Sequence, residues 1–477
     1  MSEKKPTLVD ALIPISVLIT LLALNVYFFG DNSSYGPNQM ALILAAALGG
    51  GVAVKNKISW ETLLNGIVSG IGSAMPAILI LLLIGALAST WLLSGIVPTM
   101  IYYGLKILNP SIFLVAACAV CAIVSLATGS SWSTVATIGI ALIGIGETLN
   151  IPSGIVAGAI ISGAYFGDKM SPLSDTTNLA PAMAGTDLVT HIRYMMFTTI
   201  PTIIITLIIF GIMGFFGNSH AEAAEIEEIL VLLENRFTIT PLLFIVPALV
   251  VILIVLRMPA LPALLIGALL GGIFAFIFQQ HLIMELAKSE NIYASGYTII
   301  TNTMATGVTI STDNVALNKL LSHGGMNGML NTVWLIICAM IFGGVMEAAG
   351  LLQRITQSLV SLAHSTGSLI ATTAGTCVFF NTTTSDQYLA IVVTGRMFSE
   401  TYKERGLAPE NLSRTLEDSG TVTSVLVPWN TCGATQAGVL GVATLTYLPY
   451  CFFNIISPFM TILYGYLGIK IAKITSN

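Results

Sequence analysis

The chain has 477 residues, 18 of them basic and 23 acidic, for a formal net charge of -5. A soluble chain of this length carries about 119 charged residues, roughly a quarter of the total. The 41 present here, with a hydrophobic fraction of 55% and a mean hydropathy of +0.88, leave too little polar surface to wrap water-soluble cores. A soluble enzyme is excluded, and without a basic face so is a nucleic-acid binder.

In chain order, Met1-Ser2-Glu3-Lys4-Lys5 precedes an apolar run from Ala11 to Phe29. That run is longer than a secretory signal's apolar core and has no small-residue cleavage site behind it, so it is expected to be a retained first span. Further runs able to cross about 30 Å of hydrocarbon follow at Met40 to Val54, Met75 to Leu93, Ile151 to Gly185 with an interruption, and Ile192 to Phe216. A second series occupies Pro241 to Leu256, Leu261 to Phe278, Leu330 to Ala349, Asn411 to Val442 with an interruption, and Ala443 to Gly468. An acidic connector, with Glu222, Glu225, Glu227, Glu228 and Glu234, separates the two series. The organisation read from this is a first repeat over 1–217, a linker over 218–238 and a second repeat over 239–477.

The two series align at a shift of 254 to 257 residues: Gly95 falls near Gly350, Ser130-Ser131 on Thr384-Ser385, Pro152 on Pro409, Pro172 on Pro428 and Tyr194 on Tyr450. A near-constant shift over so long a stretch marks an internal duplication. Each half also holds a segment unlike a normal span, Ile112 to Leu149 and Leu369 to Met397. Each is two short apolar arms around a hydroxyl-rich tip, Ala127 to Ser131 and Asn381 to Ser385. Non-helical backbone at membrane depth is tolerated only where it lines a cavity or is buried in protein, so a re-entrant hairpin is expected in each half. Five crossings per half is an odd number, which requires two homologous halves to face opposite ways. The expected fold is therefore an all-α polytopic membrane protein of two inverted repeats, each with five transmembrane helices, one interrupted, plus a re-entrant hairpin. Basic residues agree: with both termini cytoplasmic, 13 of the 18 Lys and Arg fall inside, four outside, and Lys169 within a span.

An ionisable group at the bilayer centre costs at least about 2.5 to 3.5 kcal/mol, so those retained there point to function. Asp168, Asp175, Asp386 and Asp418 qualify, all beside interrupted elements. Pro172 stops the helix after Lys169-Met170-Ser171, and the freed carbonyls attract cations. Around this break stand Asp175, Ser171, Ser174, Thr176, Thr177 and Asn178. The second half offers Pro428-Trp429-Asn430-Thr431, where Thr431 replaces the aspartate, while Asp386 follows the hairpin tip at Thr383, Thr384 and Ser385; Ser130 and Ser131 belong to the first tip. Hard oxygens with few negative charges suit Na+, whereas zinc, copper or iron would call for His and Cys. A carboxylate in such a cavity holds either a proton or a metal ion, which is a mechanism for antiport. Asp168 or Asp418 is a candidate proton carrier, Lys169 a candidate partner of Asp168 in the absence of ion, and Asp418 a candidate i+4 partner of Arg414.

No zinc-protease His-Glu-x-x-His is present, and Tyr165-Phe166-Gly167-Asp168 lacks the first glycine of an intramembrane GxGD protease, so no enzymatic activity and no cofactor are expected. A passive channel is the rival from a different class. Gly167-Asp168-Lys169-Met170-Ser171-Pro172-Leu173-Ser174-Asp175-Thr176-Thr177-Asn178 closely resembles the signature of the NhaC family of bacterial Na+/H+ antiporters. Thr128 to Ser133 and Pro428 to Gly433 resemble its other characteristic stretches. The resemblance implies exchange of Na+, or Li+, for H+ across the bacterial cytoplasmic membrane by a homodimer whose hairpin bundle moves like an elevator. It also admits a Na+/H+-coupled carrier of malate or lactate; an intramembrane arginine would favour that, and every arginine here maps to a loop or helix end.

Overall fold

The computed structural model describes residues 6–107, 109–216, 223–288, 291–312, 314–360 and 364–474. Lys4, Lys5 and positions 218–222 of the linker lie outside them. The described residues are almost entirely helical, with one two-residue antiparallel ladder, Val308–Thr309 against Ser322–His323. Among the described residues seven helices are long and apolar enough to cross a membrane, or up to nine with two bent pairs counted as spans. Ten crossings were expected; the interrupted spans do not count, because Ser153–Met170, though 18 residues long, carries Asp168 and Lys169 and is not apolar enough, and the pieces of the second are each too short. Pro110–Thr128, read from the sequence as a hairpin arm, is by contrast long enough to count.

The first half opens with Leu8–Phe29 and Pro37–Lys55, tied by Lys55 to Asp10 at 2.7 Å. Next comes Trp60–Leu93, 34 residues long rather than the span beginning at Met75 that hydropathy suggested. Its extra turns exist because Gly66 and Gly70 let it lie directly on Leu330–Ala348. A Cβ on Gly66 would sit 2.7 Å from the Gly344 carbonyl oxygen, the small-residue contact that membrane helices use in place of hydrophobic drive. After Ile96–Ile107 the chain makes the first hairpin, Pro110–Thr128 returning through Ser131–Thr134, a π-helical turn at Val135–Gly139 and Ile140–Thr148. The first interrupted span follows as Ser153–Met170 and Asp175–Ala184, then Leu188–Phe216.

Part of the acidic linker is a helix, Ala223–Arg236, clamped by Glu234 to Tyr102 and by a bidentate Arg236–Glu285 pair at 2.7 and 2.8 Å. The second half carries Ile245–Val255, Ala260–Phe278, an inserted group of short elements, and Leu330–Ala348. Its hairpin is Thr366–Thr383 and Gln387–Glu404. The second interrupted span runs Pro409–Leu416, a π-helical turn at Glu417–Thr421, and Thr431–Leu440; Phe452–Leu467 is the last long helix.

Special backbone positions recur at a constant offset of 256. Left-handed Gly129, Asn150 and Gly185 (φ 69°, 56°, 86°) are matched by Ser385, Gly406 and Gly441 (φ 60°, 67°, 67°). The helix-capping residues Ser130 and Ser174 are matched by Asp386 and Asn430. This corrects the pairing of Ser130-Ser131 with Thr384-Ser385. The second tip lies at Thr384 to Asp386, and Asn381 to Thr383 belong to the helical arm. A turn made by a serine in the left-handed region, where glycine is usual, hid this register from the sequence.

The first hairpin and the first interrupted span are joined by small residues. Ser125 Oγ donates to the Ala164 carbonyl at 2.6 Å, and an added Cβ on Gly163 would lie 2.0 Å from the Cys118 carbonyl oxygen. Gly163→Ala is therefore expected to cost about 1–3 kcal/mol, seen as a lower melting temperature in detergent. Gly375→Ala, whose new Cβ meets nothing within 4 Å, should leave it unchanged.

Candidate functional site

Each hairpin tip rests on one helix break. Asp168 Oδ2 accepts two hydrogen bonds from the first tip, from Ser131 N at 3.0 Å and Ser131 Oγ at 2.6 Å. Gly129 is required there: an added Cβ would lie 2.7 Å from the Leu173 carbonyl carbon and 2.9 Å from Ser174 N. At the break itself Thr177 Oγ1 donates to the freed carbonyls of Asp168 and Lys169 at 3.2 and 3.0 Å, and Asn178 Nδ2 donates to those of Pro172 and Ser174 at 2.9 and 2.7 Å. Protein donors thus take up the carbonyls that the sequence suggested would draw a cation.

The second contact repeats the design with other atoms. Thr431 N donates to the Ser385 carbonyl at 2.9 Å, Trp429 Nε1 to the Thr382 carbonyl at 2.7 Å, and Asn430 Nδ2 to the Asn381 carbonyl at 2.9 Å. These bonds hold Ser385 in its left-handed conformation, which costs a non-glycine residue roughly 1–2 kcal/mol. Asp386 then caps the returning arm, accepting from Leu389 N at 3.0 Å, as Ser130 accepts from Ser133 N at 3.1 Å in the first hairpin.

Between the two contacts lies a chamber of about 1020 Å³. Its lining includes Asp168, Asp175, Asp386, Ser130, Ser174, Thr176, Asn178 and Thr431 from the sequence-derived set. The remaining members of that set are not on its wall. Ser131 and Thr177 are buried behind it, bonding Asp168 as described. Thr383 and Thr384 donate to carbonyls four residues back at 2.8 Å each, and Thr384 lines a separate cavity of about 400 Å³. Ser385 Oγ is buried without a partner, and Asn430 is spent on Asn381 and the cap. Among the described residues no group of three or more His, Cys, Asp and Glu is close enough to hold a metal ion. The three aspartates therefore share a room without forming one coordination shell.

Lys169 does not pair with Asp168, nor Arg414 with Asp418. Lys169 and Asp418 instead form a fully buried ion pair, completed by Thr198 Oγ1 at 2.9 Å and Ser457 Oγ at 3.2 Å on the Asp418 oxygens. Arg414 is completely buried, its guanidinium 4.6 Å from the Tyr194 ring centroid and Nη1 on the Lys470 carbonyl at 3.2 Å. Sequence reasoning missed Arg257, at the end of a loop but on the chamber wall beside Pro259 to Leu261, and Gln387, Tyr388 and Trp132, also on the wall. It missed Glu417 as well, fully buried next to Asp418. Adjacency to Asp386 was the available signal for Gln387 and Tyr388; for Arg257 a short basic loop offered none.

Residues 163–469 match the profile of the Na+/H+ antiporter family. The chain belongs to that family. It is 39% identical over 471 residues to the Na(+)/H(+) antiporter NhaC of Alkalihalophilus pseudofirmus, across 99% of this chain and 98% of that one. It is also 39% identical over 464 residues to the malate-2H(+)/Na(+)-lactate antiporter of Bacillus subtilis, across 97% and 95%. The arginine/ornithine antiporter ArcD of Halobacterium salinarum is 35% identical over 472 residues, across 98% and 93%. This antiporter-family chain is a polytopic membrane protein in which Asp168, Asp175 and Asp386 line a common chamber.

Chamber access is checked by labelling. With the six buried free cysteines replaced, Asn178→Cys should react with a water-soluble maleimide about tenfold faster than Thr383→Cys, because the first side chain lines the chamber and the second does not.

Proposed function

We propose that the protein exchanges Na+, or Li+, for H+ across the bacterial cytoplasmic membrane, with both termini in the cytoplasm and the functional unit a homodimer. The observation that carries this reading is the shared chamber, in which Asp168, Asp175 and Asp386 stand among hydroxyl and amide oxygens with, among the described residues, a single basic one, Arg257. Three carboxylates against one guanidinium favour a cation, and a carboxylate surrounded by protein binds either a proton or a metal ion. The two tip-and-break contacts and their constant offset support two repeats of opposite orientation, whose kinks meet at one site near the bilayer midplane. Asp175 opens its helix and faces the chamber; Asp386 does so from the opposite hairpin. Ser130, Ser174, Thr176 and Thr431 supply neutral oxygens, and Asp168, oriented by Ser131, is the proton-carrying neighbour.

A second reading, coupled transport of an organic acid, is favoured by Arg257 and by the helix N-termini around the chamber, which suit anions. One assay separates the two. In proteoliposomes, NaCl alone should collapse an imposed pH gradient, and malate or lactate should add nothing. Movement of Na+ without any pH change would indicate a channel. Asp175→Asn is expected to lower Na+-driven proton flux at least about a hundredfold; flux at the wild-type rate would remove Asp175 from the site.

A further inference from the structure

Ionisable side chains inside the bilayer are normally matched one to one, because an unmatched charge there is costly. Lys169 is matched by Asp418, whose two oxygens receive Lys169, Ser457 and Thr198. Glu417 has no such match: Lys169 is taken by Asp418, and the other buried cation of this region, Arg414, makes no ion pair with it. Glu417 is fully buried, it opens the π-helical turn Glu417–Thr421, and neither of its oxygens has a well-aligned hydrogen-bond partner, the Thr421 hydroxyl of the same turn being the donor beside it. The titratable groups facing it are Lys169 and Asp168 from Ser153–Met170, Asp418 beside it, and the Cys377 thiol from Thr366–Thr383. Arg414, a turn earlier, places Nη1 on the Lys470 carbonyl and its guanidinium against the Tyr194 and Tyr464 rings; its Nε and Nη2 have no partner, and it makes no ion pair with Glu417.

We infer that Glu417 is a proton-carrying residue of the exchange cycle, housed outside the cation chamber and coupled to it through the consecutive residues Asp168 and Lys169. Ionising Glu417 in the arrangement observed would leave a buried negative charge with no ion-pair partner and no donor beyond the Thr421 hydroxyl, so the neutral acid is favoured. Asp168 faces the chamber, and the next residue, Lys169, reaches the Glu417–Asp418 pair. A Na+ arriving beside Asp168 adds positive charge near Lys169, and the cluster restores balance by releasing the Glu417 proton. Departure of Na+ reverses the step. Neither the proton nor the ion has to occupy the other's site, which distinguishes this coupling from simple competition for one carboxylate. π-helical turns interrupt the regular hydrogen-bond ladder and are frequent at functional positions.

The inference rests on the Na+/H+ exchange reading and is tested with wild type, Glu417→Gln and Glu417→Asp in proteoliposomes. Two fluxes are read: proton movement on adding NaCl, and isotopic Na+/Na+ exchange without a pH gradient. Glu417→Gln should lose at least about tenfold in proton flux while Na+/Na+ exchange stays within about twofold. Glu417→Asp should restore proton flux with a displaced pH profile. Wild-type proton flux and pH profile in Glu417→Gln would overturn the inference, as would loss of both fluxes in monodisperse protein. If Glu417→Gln does not fold, a pH profile for Glu417→Asp identical to wild type overturns it and a displaced one supports it. Absence of Na+-driven proton flux in the wild type is a separate result, which would overturn the exchange reading itself.

Discussion

A carboxylate inside a membrane protein must be matched by a cation, surrounded by donors or protonated, and three buried acids of this chain show the first two solutions. Asp168 takes two bonds from Ser131, Asp386 takes the amide of Leu389, and Asp418 takes Lys169 with two hydroxyls. These arrangements need backbone that leaves the helix, and backbone that leaves the helix needs its own partners. The hairpin tips supply them. A tip resting on a break is thus at once a solution for orphaned amides and a means of bringing a carboxylate to the wall of a chamber.

The two contacts are alike in backbone and unlike in side chains. The first places its acids at the break, as Asp168 and Asp175, and caps its tip with Ser130. The second caps its tip with Asp386 and has Thr431 at the break. Equivalent backbones with unequal chemistry give one room lined by acids from both contacts, and replacing Thr431 by aspartate would crowd a fourth charge into it. The absence of a tight three-acid cluster among the described residues agrees with a cation held by one carboxylate at a time and by neutral oxygens.

Much of this was legible in the sequence because rare residues are informative in an apolar chain. Asp168, Asp175 and Asp386 stood out, and Pro172 marked where a helix must end. Less visible features have physical reasons. Ser385 makes its turn in the left-handed region without glycine, so the expected tip began three residues too early. The hydroxyls of Thr383 and Thr384 pointed to a ligand set but bond back to their own helix, which a sequence cannot distinguish from ligation. Arg257 looked like an ordinary loop cation. Glu417 was overlooked beside Asp418, since only the fold reveals that Lys169 neutralises one of the two and not both.

The central claim is that Na+ and protons are linked through the chamber's acids. Its most direct test is calorimetric titration of the purified protein with NaCl in buffers of different ionisation enthalpy across a pH series. The account predicts release of about one proton or more per Na+ bound, with apparent Na+ affinity falling close to tenfold per pH unit on the acidic side. Na+ binding that is independent of pH and releases no proton would contradict it.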